Sequence, residues 1–199
     1  IRDVGDKGNL IRGYHYVMPF HQLRPLQFGL QGQEPRQLIA GHVWVPMDDE
    51  NCMIYNWVYN YAGQPLTDAD REEEVQLGRG PGEMLADFRT RRNKSNDWMI
   101  DREVQKNETF TGIEGINTQD QAIQESMGPI VDRTLENLSA SDIAIVVARR
   151  MLISAASTVA DGGDPPGIGE SYYRVRAIDA ILSKDVDWKD ALEADMYPY

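Results

Sequence analysis

The stretch SASDIAIVVARRMLISAASTVADGG (139–163) limits what this chain can fold into more than any other. Ser139 and Asp142 take the N-cap and N3 positions of a capping box, which satisfies N–H groups that a helix start leaves orphaned. Ile143, Val147, Met151 and Ala155 recur every four residues and predict a stripe that faces a core. Gly162 and Gly163 end the helix. A long helix with such a stripe needs an apolar surface to lie on.

The first half of the chain predicts that surface. NLIRGYHYVMPFH (9–21) alternates, with Leu10, Arg12, Tyr14, Tyr16 and Met18 on one face and Ile11, His15 and Val17 on the other. Pro19 ends the strand or marks a sheet edge. RQLIAGHVWVPM (36–47) and CMIYNWVYNYA (52–62), joined by the polar turn MDDEN, read as an antiparallel hairpin. In its second strand Met53, Tyr55, Trp57 and Tyr59 point one way, and Ile54, Asn56, Val58 and Asn60 the other. Two unlike faces suit a sheet that is covered on one side and lines something on the other.

The remainder is mostly helical. TDADREEEVQLG starts with Thr67 and Asp70 at capping-box spacing and predicts a short acidic helix. GRGPGEML lacks the Lys-Ser/Thr of a phosphate loop and reads as a turn. DWMIDREVQKN fits strand or loop. A short helix is expected over 118–127, another over ESYYRVRAIDAILSKD, and one or two turns in the tail. Strands followed by helices give an α+β class, with one domain over 1–199 in which the long helix crosses a curved antiparallel sheet.

Bulk properties exclude several functions. A net charge of −12 and a pI near 4.6 argue against nucleic-acid or anionic-membrane partners. No uninterrupted apolar run approaches the ~20 residues of a membrane span, so none is expected. The single Cys52 rules out an internal disulfide framework, and a reducing, cytoplasmic home is the simplest reading. The chain opens at Ile1 within a segment that already reads as structure, which suggests a piece of a longer polypeptide.

Candidate chemistry is sparse. His15, His21 and His42 read as packed or sheet-edge histidines. Cys52 follows Asp48, Asp49 and Glu50 and reads as inert, because a thiolate needs an electropositive setting. Asp120, in NTQDQAIQES, has two readings. One is a helix-start acid that interacts with the helix dipole. The other is the carboxylate of a two-His, one-carboxylate ferrous site.

Three stretches bear on that choice: YVMPFHQLRP, GHVWVPMDDENCMIYNWVYN and NTQDQAIQESMGPIVDRTLENLSASDIAIVVARRML. Together they resemble the catalytic domain of Rieske non-haem iron oxygenases, in particular the phthalate 4,5-dioxygenase and aromatic O-demethylase group. The resemblance covers roughly residues 10 to 160. It implies a helix-grip fold, a curved sheet gripping a long C-terminal helix. It implies that Asp120 is the iron carboxylate. It also implies a mononuclear Fe(II), a [2Fe-2S] Rieske cluster, a reductase donor, O2, an aromatic and often carboxylated substrate, and a homotrimer. Substrate contacts are expected from Met53, Tyr55 and Trp57, and an arginine such as Arg12 is a plausible partner for a substrate carboxylate.

The departures matter equally. The H-x4-H pair that supplies the family's iron histidines is absent, and so is the C-x-H…C-x2-H cluster motif. The chain therefore reads as the C-terminal part of the oxygenase, without its Rieske domain, and is expected to bind neither iron nor cluster tightly and to be inactive alone. A helix-grip module that binds an apolar ligand without redox chemistry is the alternative, and a purely structural subunit is a third.

Overall fold

The structure, a computed structural model, describes residues 1–26, 36–168 and 174–198. It is of mixed α+β class, and its residues gather into two compact units. The first comprises Ile1–Met47, Cys52–Gln64 and Glu136–Tyr199; the second comprises Asp48–Asn51 and Pro65–Leu135.

The first unit holds two antiparallel sheets in place of the single curved sheet expected. One has the order β1 (Arg2–Asp3), β2 (Asn9–Gly13), β7 (Ile178–Leu182). The other has the order β3 (His15–Val17), β4 (His21–Pro25), β5 (Leu38–Pro46), β6 (Cys52–Asn60). The expected first strand is thus cut at Tyr14, and its halves serve different sheets. Gly13 lets Ile178 approach: a Cβ there would lie 2.7 Å from the Ile178 side chain. Pro19 occupies the turn between β3 and β4. The β5–β6 hairpin forms as expected, Leu38 opposite Asn60 through Pro46 opposite Cys52. Its turn is tied by the Asp48 carboxylate, which accepts from the N–H groups of Glu50 and Asn51.

The helix expected over 170–185 is corrected. Residues 170–173 lie outside the described residues, and 178–182 form β7, paired with β2. Ala177, Ile178 and Asp179 are buried in succession. Three consecutive buried residues cannot share one helix face, but a strand between packed layers accommodates them. Each sheet has its own small core. Ile11, Ile178 and Leu192 meet beneath Trp188 and Met196, two residues of α5 (Trp188–Met196). Leu23, Ile39 and Ala177 meet beside Val17, Trp57, Tyr61 and Val175.

Helix α4 (Ile143–Ala160) follows its capping box at Ser139 and Asp142, and the chain leaves it through Gly162 at φ 82°. The stripe predicted to face a core does not. Ile143, Val147 and Met151 are 62%, 47% and 45% exposed, and no residue of α4 is buried. Among the described residues, 140–160 is long and apolar enough to cross a bilayer by length and composition, with mean hydropathy 1.6. Arg149 and Arg150 interrupt the run, which is why it does not read as continuous. Each would cost roughly 2.5–3.5 kcal/mol at a bilayer centre. Arg149 is bound to Glu136 through both terminal guanidinium nitrogens.

The second unit is helices and turns. Helix α1 (Asp68–Glu74) carries the predicted Thr67–Asp70 capping box. It runs into a single π-turn, Val75–Arg79, that ends around Gly78 at φ 82°. The stretch read as strand or loop is instead a 3-10 turn, Lys94–Met99, followed by α2 (Arg102–Asn107). Asp101 caps α2, accepting from the N–H groups of Glu103 and Val104. Helix α3 (Ile116–Ser126) begins two residues before its predicted start.

Candidate functional site

Asp120 lies at the fifth position of α3, and no acid occupies that helix's first turn. Dipole stabilisation fades within the first turn, so the helix-start reading loses its physical basis. The polarity of α3 is inverted. Its buried residues are Asn117, Thr118 and Ala122, whereas Ile116, Ile123 and Met127 are 55%, 60% and 53% exposed. These three lie four before, three after and seven after Asp120, so all four share one face. Among the described residues Asp120 makes no hydrogen bond or ion pair. The face is exposed and mixed: Asp120 stands among Ile116, Ile123 and Met127, with exposed Gln124 four residues on.

The other face explains how α3 is seated. Gly115 precedes the helix at φ 82° and crosses Gly78 of the π-turn. A Cβ on Gly115 would lie 2.8 Å from the Gly78 Cα and 2.9 Å from Thr118 Oγ1. Only two glycines permit so close a backbone crossing. Thr118, 1% exposed, donates its hydroxyl to the Gly115 carbonyl at 2.7 Å and also contacts the Glu114 carbonyl. Gln119 donates to the Ile113 carbonyl at 3.0 Å. At the far end, Trp98 Nε1 donates to Glu125 at 2.9 Å. Sequence reasoning named Gly78 only as the end of the acidic helix and did not single out Thr118 or Gly115; the doubled glycines of TGIEGIN are the one local signal.

The residues expected to line a substrate pocket fall in the first unit, apart from the unit that carries Asp120. Met53, Tyr55 and Trp57 share a face of β6, opposite Val45, Val43 and Gly41 of β5. Trp57 is partly buried against the Leu23–Ile39–Ala177 core and covers Gly41, where a Cβ would meet its ring at 2.0 Å. Tyr55 is 57% exposed. Of the three, Tyr55 is open to solvent, while Met53 and Trp57 are partly buried.

The histidines are accounted for locally. His15 Nε2 contacts the Arg176 carbonyl at 2.9 Å, its ring meets Tyr197 edge-on, and burial pushes its pKa down. His21 stacks on Phe20, and His42 on Trp44. Arg12 pairs with buried Asp179 at 3.5 Å and donates to the Pro25 carbonyl, so it ties the sheets' strands and is committed there. Cys52 is exposed; its thiol pKa is raised by partial desolvation, a different cause from the acidic neighbours invoked from sequence. Among the described residues no three His, Cys, Asp or Glu side chains gather as a metal site. Asp120 is thus a lone carboxylate, not part of a ligand set among the described residues.

Comparison with known proteins agrees with the resemblance read from the sequence. The profile of the family described as LigXa C-terminal domain like matches residues 10–197. The chain is 36% identical over 199 residues to a 3-chlorobenzoate-3,4-dioxygenase oxygenase subunit of Comamonas testosteroni, covering 90% of this chain and 43% of that protein. It is 40% identical over 155 residues to a phthalate 4,5-dioxygenase oxygenase subunit of Pseudomonas putida, covering 76% of this chain and 35% of that protein. The chain therefore spans less than half the length of these relatives. It belongs to the LigXa C-terminal domain-like family and is related along most of its length to the oxygenase subunits of aromatic dioxygenases.

Proposed function

We propose that this chain is the C-terminal catalytic part of a Rieske non-haem iron oxygenase that hydroxylates or O-demethylates an aromatic, carboxylated substrate. The observation that carries the reading is Asp120, an exposed carboxylate that a well-seated helix presents beside Ile116, Ile123 and Met127. In this reading the two units are parts of one catalytic domain, and α4 lies against the sheet in a helix-grip arrangement. Its bare apolar surface supports that, because such a surface requires cover. Met53 and Tyr55, with Trp57 as the floor beside them, line the substrate pocket. The full-length oxygenase would be a cytoplasmic homotrimer that receives electrons from a reductase through a Rieske cluster.

Asp120 fits one position of a ferrous site: it is an oxygen donor, uncommitted, and fixed in direction by α3. The two histidine positions and the cluster ligands have no counterpart among the described residues, so the chain alone holds neither group tightly. When bound, the iron supplies the oxidation chemistry with O2. This chain's residues provide the setting. Asp120 contributes negative charge and an oxygen donor, while Ile116, Ile123 and Met127 give the surface around it an apolar character that a covering surface would dry. Removal of water strengthens electrostatic interactions at the carboxylate.

The test is iron and acid-labile sulfide on the polypeptide made from its natural gene, wild type and Asp120→Ala. The reading expects a cluster in both and mononuclear iron in the wild type alone. A natural polypeptide with neither iron nor sulfide, binding an apolar ligand equally well with Ala at 120, would favour the ligand-binding module.

A further inference from the structure

We infer that Arg176 and Tyr59 form a binding site for a single-ring aromatic carboxylate, apart from the Met53–Tyr55 end of the row and independent of iron. The Arg176 guanidinium lies over the Tyr61 ring, 4.4 Å from its centroid, and makes no hydrogen bond or ion pair among the described residues. Other arginines are committed: Arg12 to Asp179, Arg79 to Glu74, Arg102 to Asp97 and Arg149 to Glu136. A chain with 32 acidic residues against 20 Lys and Arg thus leaves a half-buried guanidinium without a carboxylate. Contact with a ring uses the face of the guanidinium and leaves its N–H donors, which lie in its plane, for an acceptor. A carboxylate matches that fork with two parallel hydrogen bonds.

The guanidinium is carried by a fixed backbone. The Arg176 N–H donates to the Met196 carbonyl at 2.7 Å, and its own carbonyl accepts from His15 Nε2 at 2.9 Å. Val175 and Ala177 on either side pack into the Leu23–Ile39 core. Tyr59 supplies the rest of the site. It is 38% exposed, the Arg176 charge acts on its phenol, and its ring centroid lies 5.7 Å from that of Trp57. Burial raises the Tyr59 pKa, so the hydroxyl keeps its proton and is a second donor. Same-face residues of a strand stand about 6.8 Å apart, a step that spans one ring. A carboxylate on Arg176 therefore brings one ring against Tyr59. Four residues of β6, about 14 Å, separate Tyr59 from Tyr55.

Benzoate titrated calorimetrically into the full-length polypeptide, with no electron donor present, tests this, and benzyl alcohol serves as the uncharged probe. Wild type is expected to bind benzoate at least about tenfold tighter than benzyl alcohol. Arg176→Gln is expected to lose about tenfold in benzoate affinity and nothing for benzyl alcohol. Arg176→Lys keeps the charge without the fork and should lose about threefold. Tyr59→Phe removes only the hydroxyl and should also lose about threefold. Lys189→Gln, which removes an exposed cation elsewhere in the same unit, should change nothing. Asp120→Ala should keep benzoate binding, so this site and the iron ligand fail separately. No benzoate binding in wild type, or equal affinity in wild type and Arg176→Gln, overturns the site. Equal weakening by Lys189→Gln assigns the effect to bulk charge and overturns it too. Should Arg176→Gln not fold, wild-type affinity in both Arg176→Lys and Tyr59→Phe overturns it. Loss of benzoate binding in Asp120→Ala with retention in Arg176→Gln would move the carboxylate to Asp120 and likewise overturn it.

Discussion

Helices α3 and α4 both carry large apolar side chains that the rest of the chain leaves exposed, yet they differ in what lies behind them. Helix α3 has a buried face, made of Asn117, Thr118 and Ala122, and is held at both ends by hydrogen bonds. Helix α4 has no buried residue, and its apolar residues point in several directions, Ile145 and Ile153 as well as the Ile143–Val147–Met151 stripe. The exposed face of α3 is thus a choice made by a helix already seated, and it contains a carboxylate. The exposure of α4 states only that the helix requires a partner surface. One helix is seated and shows only one face; the other lacks a seat altogether.

The largest expected effect sharpens the second half of that contrast. Met151→Asp in the full-length polypeptide should cost about 3 kcal/mol or more if α4 is covered there, because a charge would be buried without a partner. Urea denaturation measures it, and a change within about 0.5 kcal/mol would mean that the helix stays exposed. A smaller effect concerns the seat of α3. Gly115→Ala meets Gly78 and adopts a left-handed φ, and should lose about 1–3 kcal/mol of stability in the same assay. Smaller again, Ile123→Ser removes an exposed side chain and should leave the stability of this chain within about 0.5 kcal/mol, read from its thermal unfolding. A larger loss would show that this face of α3 is part of a core and not an open site wall.

The smallest effect is a pH dependence in the first unit. Burial holds the folded pKa of His15 below its unfolded value near 6.5. Between those two values the unfolded chain binds more protons, so stability rises with pH there. It is complete above about 6.5 and declines as pH falls through that value. His15→Gln should flatten this part of the stability profile. An unchanged slope in the variant would assign the dependence to another group.

The elements legible in the sequence are those with local chemistry. The Ser139–Asp142 and Thr67–Asp70 boxes mark two helix starts correctly, and the Asp48 turn sets the β5–β6 hairpin. What failed depends on distant partners. Strand β7 looks helical until β2 pairs with it, and the break at Tyr14 arises because the flanking residues join different sheets. The α4 stripe has correct periodicity, but periodicity names a face without naming what covers it. At the candidate site, Asp120 came from resemblance. The π-turn that seats its helix was invisible, because Gly78 and Gly115 meet only in the folded chain.

The most direct test of the central claim is the Fe(II) affinity of the natural full-length polypeptide with Asp120 and with Asn in its place. Asn keeps the size of the side chain and removes the charge. The account predicts a loss of at least about a hundredfold, more than the 10–100-fold typical of residues outside the ligand set, with the Rieske cluster and the unfolding transition unchanged. Equal affinity in the two forms would contradict it and leave Asp120 as an exposed helix acid.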